Sequence, residues 1–123
     1  MFKLMNAEKR HAECPDTFEI PGEFERSHMA PGDLVKLVFE VEGYMPERMW
    51  VQVQNRGVVD DNVIYQGALA NEPAMIPVGS SAADPANHPL KLDMAISFRP
   101  EHIICLTKSP ERWFSPDPKF VIC

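Results

Sequence analysis

The chain has 123 residues, 45% of them hydrophobic and 24% charged, which bounds it to one domain of ordinary soluble, globular composition and argues against disorder as the default. Its formal charge of −6 excludes a generic phosphate-backbone binder, which needs surplus lysine and arginine. No apolar run reaches the length of a membrane span, and the N-terminal "MFKLMNAEKRHAEC" has neither an apolar core nor a small-residue cleavage site, so a cytoplasmic protein is expected.

Twelve prolines cut the chain into short pieces, with no internal repeat. "NAEKRHAE" (6–13) predicts two turns of helix, with Asn6 as the N-cap and Pro15 as the stop. The following "CPDTFEIPGEFERSHMAPGD" reads as extended chain and turns, with one helical turn around 22–28. After the Pro31-Gly32-Asp33 turn, "LVKLVFEVE" (34–42) alternates, with Val35, Leu37, Phe39 and Val41 on one face. "RMWVQVQ" (48–54) places Met49, Val51 and Val53 on one face and Trp50, Gln52 and Gln54 on the other. "GVVDDN" predicts a hairpin connection into the strand "NVIYQGALA" (62–70). A Gly/Ser/Asp/Pro-rich loop spans 79–89. "LKLDMAISF" (90–98) alternates again, predicting Leu90, Leu92, Met94, Ile96 and Phe98 inward; "RPEHI" then turns, and "IICL" adds a last short strand. The proline-broken tail, 107–123, carries Trp113, Phe114 and Phe120, expected to dock on the barrel or on a neighbour.

This pattern predicts a single domain of mainly β (α+β) class, a small antiparallel SH3-like barrel or bent sheet with a short N-terminal helix. "PGDLVKLVFE", "ERMWVQV", "NEP" and "LKLDMAISFRPEHI", taken in order over residues 20–106, resemble the YegJ-like bacterial family of uncharacterised domains. Glu72 stands where that family more often has Asp, and Leu92-Asp93-Met94 replaces its Gly-Asp start of the last strand. The resemblance implies the fold and no activity. Its members occur near accessory and immunity genes of toxin systems, which is association rather than chemistry.

Candidate chemistry starts with Glu101 and His102, a conceivable acid–base pair. Adjacent residues on a turn usually point apart, so a structural turn, with Pro100 at its first position, is the favoured reading. His11 and Cys14 are three apart, as are His102 and Cys105, yet no second pair exists to complete a zinc site. Three cysteines without a CxxC pair argue against a disulfide framework, and the apolar "HIICL" setting predicts an inert Cys105. "GSS" (79–81) lacks the frame of a nucleophile elbow, and no glycine-rich phosphate cradle is present, so no cofactor and no metal are expected.

The remaining candidates are binding residues. Trp50 occupies the polar register of its strand beside Gln52, with Glu47 and Arg48 just before it, and Asp60 and Asp61 sit on a hairpin loop. Carboxylates on successive loops would form an acidic lip for a basic partner. The expectation is therefore a non-catalytic protein-interaction module, most concretely an immunity-type protein that binds a basic toxin, with a homodimer also open. A small hydrolase or transferase using His102 and Glu101 is the first alternative; a nucleic-acid- or ribosome-associated barrel is the second.

Overall fold

The structure, a computed structural model, describes residues 2–74, 76, 78 and 89–108 and the backbone of 121–122. In chain order the elements are β1 (Phe2–Leu4), α1 (Ala7–Glu13), α2 (Glu23–Ser27), β2 (Leu34–Val41), β3 (Glu47–Val59), β4 (Asn62–Leu69), β5 (Ala95–Phe98), a 3-10 turn (Pro100–His102), β6 (Cys105–Thr107) and β7 (Val121–Ile122). The strands pair antiparallel in the order β5-β4-β3-β2-β6-β7, with β1 also on β2. The sheet curls into a half-barrel. Among the described residues β5 does not pair with β6 or β7, so the expected barrel or bent sheet is realised as the bent sheet. No helix among those residues is long and apolar enough to cross a membrane.

Alternation drives the curl. Val35, Leu37 and Phe39 of β2, Met49, Val51 and Val53 of β3, Tyr65 and Leu69 of β4, and Ile96 and Phe98 of β5 share one buried face. Burying that face in a single continuous core supplies the main folding free energy. A bulge between Val53 and Asn55 bends β3 and tightens the local twist. Gly67 lies opposite Val53, where a Cβ would come within 2.4 Å of the Gln52 carbonyl oxygen, so only glycine lets these two strands approach.

A smaller cluster sits on the outer face. Ala7 of α1, Val38, Ile104 and Cys105 are buried there, with Met5, Phe18, Ile20 and Trp50 packed against them. Helix α1 starts as expected: the Asn6 side chain accepts from the Lys9 backbone N–H at 2.9 Å, and the helix ends before Pro15. His11 donates from Nδ1 to the Phe18 carbonyl at 2.6 Å, which folds the 14–20 segment back over the sheet.

Four expectations need correction. Gly57, Val58 and Val59 belong to β3 rather than to a loop, because only Asp60 (φ 50°) and Asp61 (φ 66°) adopt the left-handed backbone of a two-residue hairpin turn. The strand predicted from residue 90 starts at Ala95. Asp93 turns left-handed (φ 66°) and donates its N–H to the Leu69 carbonyl, which breaks the alternation and leaves Leu92 46% exposed. Strands β1 and β7 were not anticipated: three and two residues are too short to show a period. Lastly, Cys105 is disulfide-bonded and not an inert thiol. The aromatic side chains of the tail and residues 79–88 lie outside the described residues.

Candidate functional site

Arg26 organises one end of the molecule. Its side chain, 7% exposed, donates from Nε to the Pro21 carbonyl at 2.8 Å, from Nη1 to the Pro100 carbonyl at 3.2 Å, and from Nη1 to the Glu8 carboxylate. One guanidinium thereby ties α1, α2 and the 3-10 turn together, using its several donors in a fixed fork. From beneath, the Tyr65 hydroxyl donates to the Arg26 carbonyl at 2.7 Å and accepts from the Met29 N–H at 3.1 Å. Burial raises the pKa of that phenol above 10.0, the hydrogen bond with Met29 and the charge of Arg56 opposing it. Arg56 of β3 donates to the Ser27 carbonyl at 2.9 Å and holds α2 over the hairpin.

These restraints frame a cleft of about 300 Å³ among α1, α2, the β3–β4 hairpin and the 3-10 turn. Four carboxylates line it, those of Glu8, Glu23, Asp61 and Glu101, and Arg99 is the lining cation. With Glu8 engaged by Arg26, three carboxylates face one guanidinium, so the cleft is a region of negative potential. Ser27, Asn62, Val63 and Pro100 complete its walls. Val58 and Val59, each 56% exposed, end β3 just before the hairpin turn, and Phe24 (67% exposed) on α2 stacks on His28 with 4.1 Å between ring centroids.

Glu101 and His102 diverge, as expected for a turn. Glu101 lines the cleft and His102 does not. The His102 Nδ1 accepts from the Arg99 N–H at 3.0 Å, while the His102 N–H returns to the Arg99 carbonyl at 3.0 Å. This reciprocal pair closes the 3-10 turn and assigns the neutral ring its proton on Nε2. Burial lowers the His102 pKa from 6.5; Glu101 opposes the shift, Arg99 adds to it, and Glu8 opposes it.

The expected binding residues separate into two groups. Asp61 joins Glu101 in the cleft, with Asp60 next to it in the turn. Glu47, Arg48, Trp50 and Gln52 lie toward the other end of β3, roughly 25–40 Å of strand away at about 3.3 Å per residue. Trp50 is half-buried in the outer cluster, and the Lys36 ammonium stands 4.7 Å from its ring centroid. The Trp50 backbone N–H donates to the Asn71 side-chain oxygen at 2.5 Å. The Glu47 carboxylate accepts from the Ala74 N–H at 2.8 Å. Arg48 and Lys36 line a cavity of about 150 Å³ with Phe18, Glu19, Ile104 and Cys105.

Glu8, Glu23 and Arg26 escaped the sequence reading. Nothing local marks them, since each lies on a short polar helix and meets its partners only through the fold. Among the described residues no group of three or more His, Cys, Asp or Glu side chains could hold a metal ion. No family model, curated protein or solved structure matches this chain.

Proposed function

We propose that this protein is a non-catalytic protein-binding module whose acidic cleft receives a lysine or arginine side chain of a basic partner. The observation that carries the reading is the excess of carboxylates over cations in a preformed concavity. A cationic anchor in such a cleft gains from focused potential. The resemblance to the YegJ-like family, with its association with immunity genes, suggests a toxin as the partner class. The acid–base alternative is weakened by His102, whose Nδ1 already serves the backbone of its own turn.

Affinity capture from host lysate, followed by titration of the captured partner, tests the proposal. Reversing the cleft with Glu23→Lys and Glu101→Lys is expected to weaken binding by a hundredfold or more, since truncating close interfacial charges costs about 2–5 kcal/mol. His102→Ala is expected to retain the partner. Unchanged binding after charge reversal refutes the cleft as the interface; turnover that requires His102 refutes the module.

A further inference from the structure

Part of one strand edge lacks a partner. Strand β3 runs to Val59, but β2 pairs with it only from Glu47 to Gln52. The turn before β2 covers one residue more: the Val53 carbonyl accepts from the Gly32 N–H, and the Val53 N–H donates to the Asp33 carbonyl, both at 2.8 Å. Beyond that point β4 holds one edge of β3, and nothing among the described residues pairs with the other. Val59 and Asn62 flank the two-residue turn as a hydrogen-bonded pair. The backbone groups of Val59 and Gly57 therefore face β4, and those of Val58 and Arg56 face outward. All five residues from Asn55 to Val59 are exposed. We infer that this edge pairs with the same edge of a second copy of the chain, antiparallel about a twofold axis at Val58, joining two curled sheets into one.

An open edge can template any strand, so the choice of a second copy rests on how well the segment matches itself. With the axis at Val58, the two Val58 residues stand directly opposite, exchange both backbone hydrogen bonds and bring their exposed side chains together. Arg56 then faces Asp60 of the second copy, and the symmetry makes this complementary pair twice. Gly57 faces Val59 of the second copy. Within one chain nothing requires a glycine at 57: its φ is not left-handed, and an added Cβ would find the Ile64 carbonyl oxygen at 4.0 Å as its nearest contact. A glycine inside a strand weakens it and often marks the close approach of another backbone. Here it lies in a non-hydrogen-bonded pair, where Cα atoms come to about 4.5 Å, and its bare backbone leaves room for the Val59 side chain.

The surrounding chain selects the same register. Centring the pair on Gly57 would bring Asp60 of the second copy opposite Gln54, beside the Gly32 and Asp33 contacts to Val53. Centring it on Val59 would carry Arg56 past the second copy's turn and lose the charge pair. At Val58 the incoming turn stops opposite Arg56, clear of Gly32. Glu8, Glu23, Asp61 and Glu101 take no part in the pairing, so it stands apart from the proposed role of the acidic cleft.

Sedimentation of the full chain over a concentration series tests the pairing. A concentration-dependent dimer is expected. Val58→Lys sets like charges against each other across the axis and should raise the dissociation constant at least tenfold, with the far-UV spectrum unchanged because Val58 is exposed. Oxidative cross-linking reads the register: in a Cys14→Ser background, Val58→Cys should yield a covalent dimer, and Asn62→Cys, on the β4 side of the hairpin, should not. A monomeric mass at every concentration up to about 1 mM overturns the proposal. So does a dimer that Val58→Lys leaves intact, and so does equal cross-linking at the two positions.

Discussion

Replacing Arg26 by methionine keeps the apolar stem and deletes the guanidinium, so it isolates the polar role of this side chain. Two backbone carbonyls, Pro21 and Pro100, lose a charged donor, and Glu8 loses its ion-pair partner. A hydrogen bond to a charged group is worth about 1.5–3 kcal/mol net. Glu8 is nearly half exposed, with its side chain at 46%, so its pairing adds at most about 1 kcal/mol. Relief of the desolvated guanidinium works in the opposite direction. The balance is a loss of about 2–4 kcal/mol, or roughly 10 °C in Tm for a domain of this size. Urea titration of Arg26→Met beside Glu8→Gln measures both, and the glutamine variant should lose no more than about 1 kcal/mol. A loss below about 1 kcal/mol for Arg26→Met, or equal losses for the two variants, would show that the backbone carbonyls do not depend on Arg26.

Three further outcomes follow from the geometry. Gly67→Ala forces a methyl group against the Gln52 carbonyl and Val51, so β3 and β4 must part, and thermal melting should register a loss of about 1–3 kcal/mol. Tyr65→Phe preserves the packing against Phe98 but strands the Met29 N–H and the Arg26 carbonyl, costing about 1–3 kcal/mol in a denaturant titration. For His102 the folded pKa lies below 6.5, so the unfolded chain binds the proton more readily. Its contribution to stability is complete above pH 6.5 and is lost as the pH falls from there through the folded pKa. Stability curves across that window should be flatter for His102→Asn, and an unchanged slope would refute the assignment.

The strands with strict alternation were legible in the sequence because a half-buried sheet writes period two into every strand that covers the core. Strand β2 begins at Leu34 and β4 at Asn62, as the pattern indicates, and Asn6 announces α1. Residues 90–93 look like the start of the same kind of strand, yet they form a turn. The apolar pattern of Leu90 and Leu92 cannot register the left-handed Asp93 or its bond to Leu69, which belong to the tertiary structure. Trp50 shows the same limit on the other face. Its place opposite Lys36 follows from the β2–β3 register, while the cluster it shares with Phe18 and Ile20 depends on how the chain returns after α1.

The cleft lay further out of reach for a physical reason. Its carboxylates come from positions 8, 23, 61 and 101, on α1, α2, the hairpin turn and the 3-10 turn, and no two of them are near enough in sequence to share a local motif. Asp61 and Glu101 could be singled out because turns advertise themselves through residue type; Glu8 and Glu23 look like any solvated helix face. What turns four scattered acids into one concavity is Arg26, a residue with no motif around it, buried because three elements converge on its donors. A smaller cavity elsewhere is lined by Lys36 and Arg48 together with Glu19 and Cys105. Charge is thus distributed unevenly, with carboxylates in excess where α1, α2 and the hairpin meet and two cations to one carboxylate around the smaller cavity. A net charge of −6 hides this separation, because a sum over the chain has no position. Charge reversal at the acidic cleft should therefore alter partner binding and its salt dependence, while neutralising Lys36 should leave both unchanged.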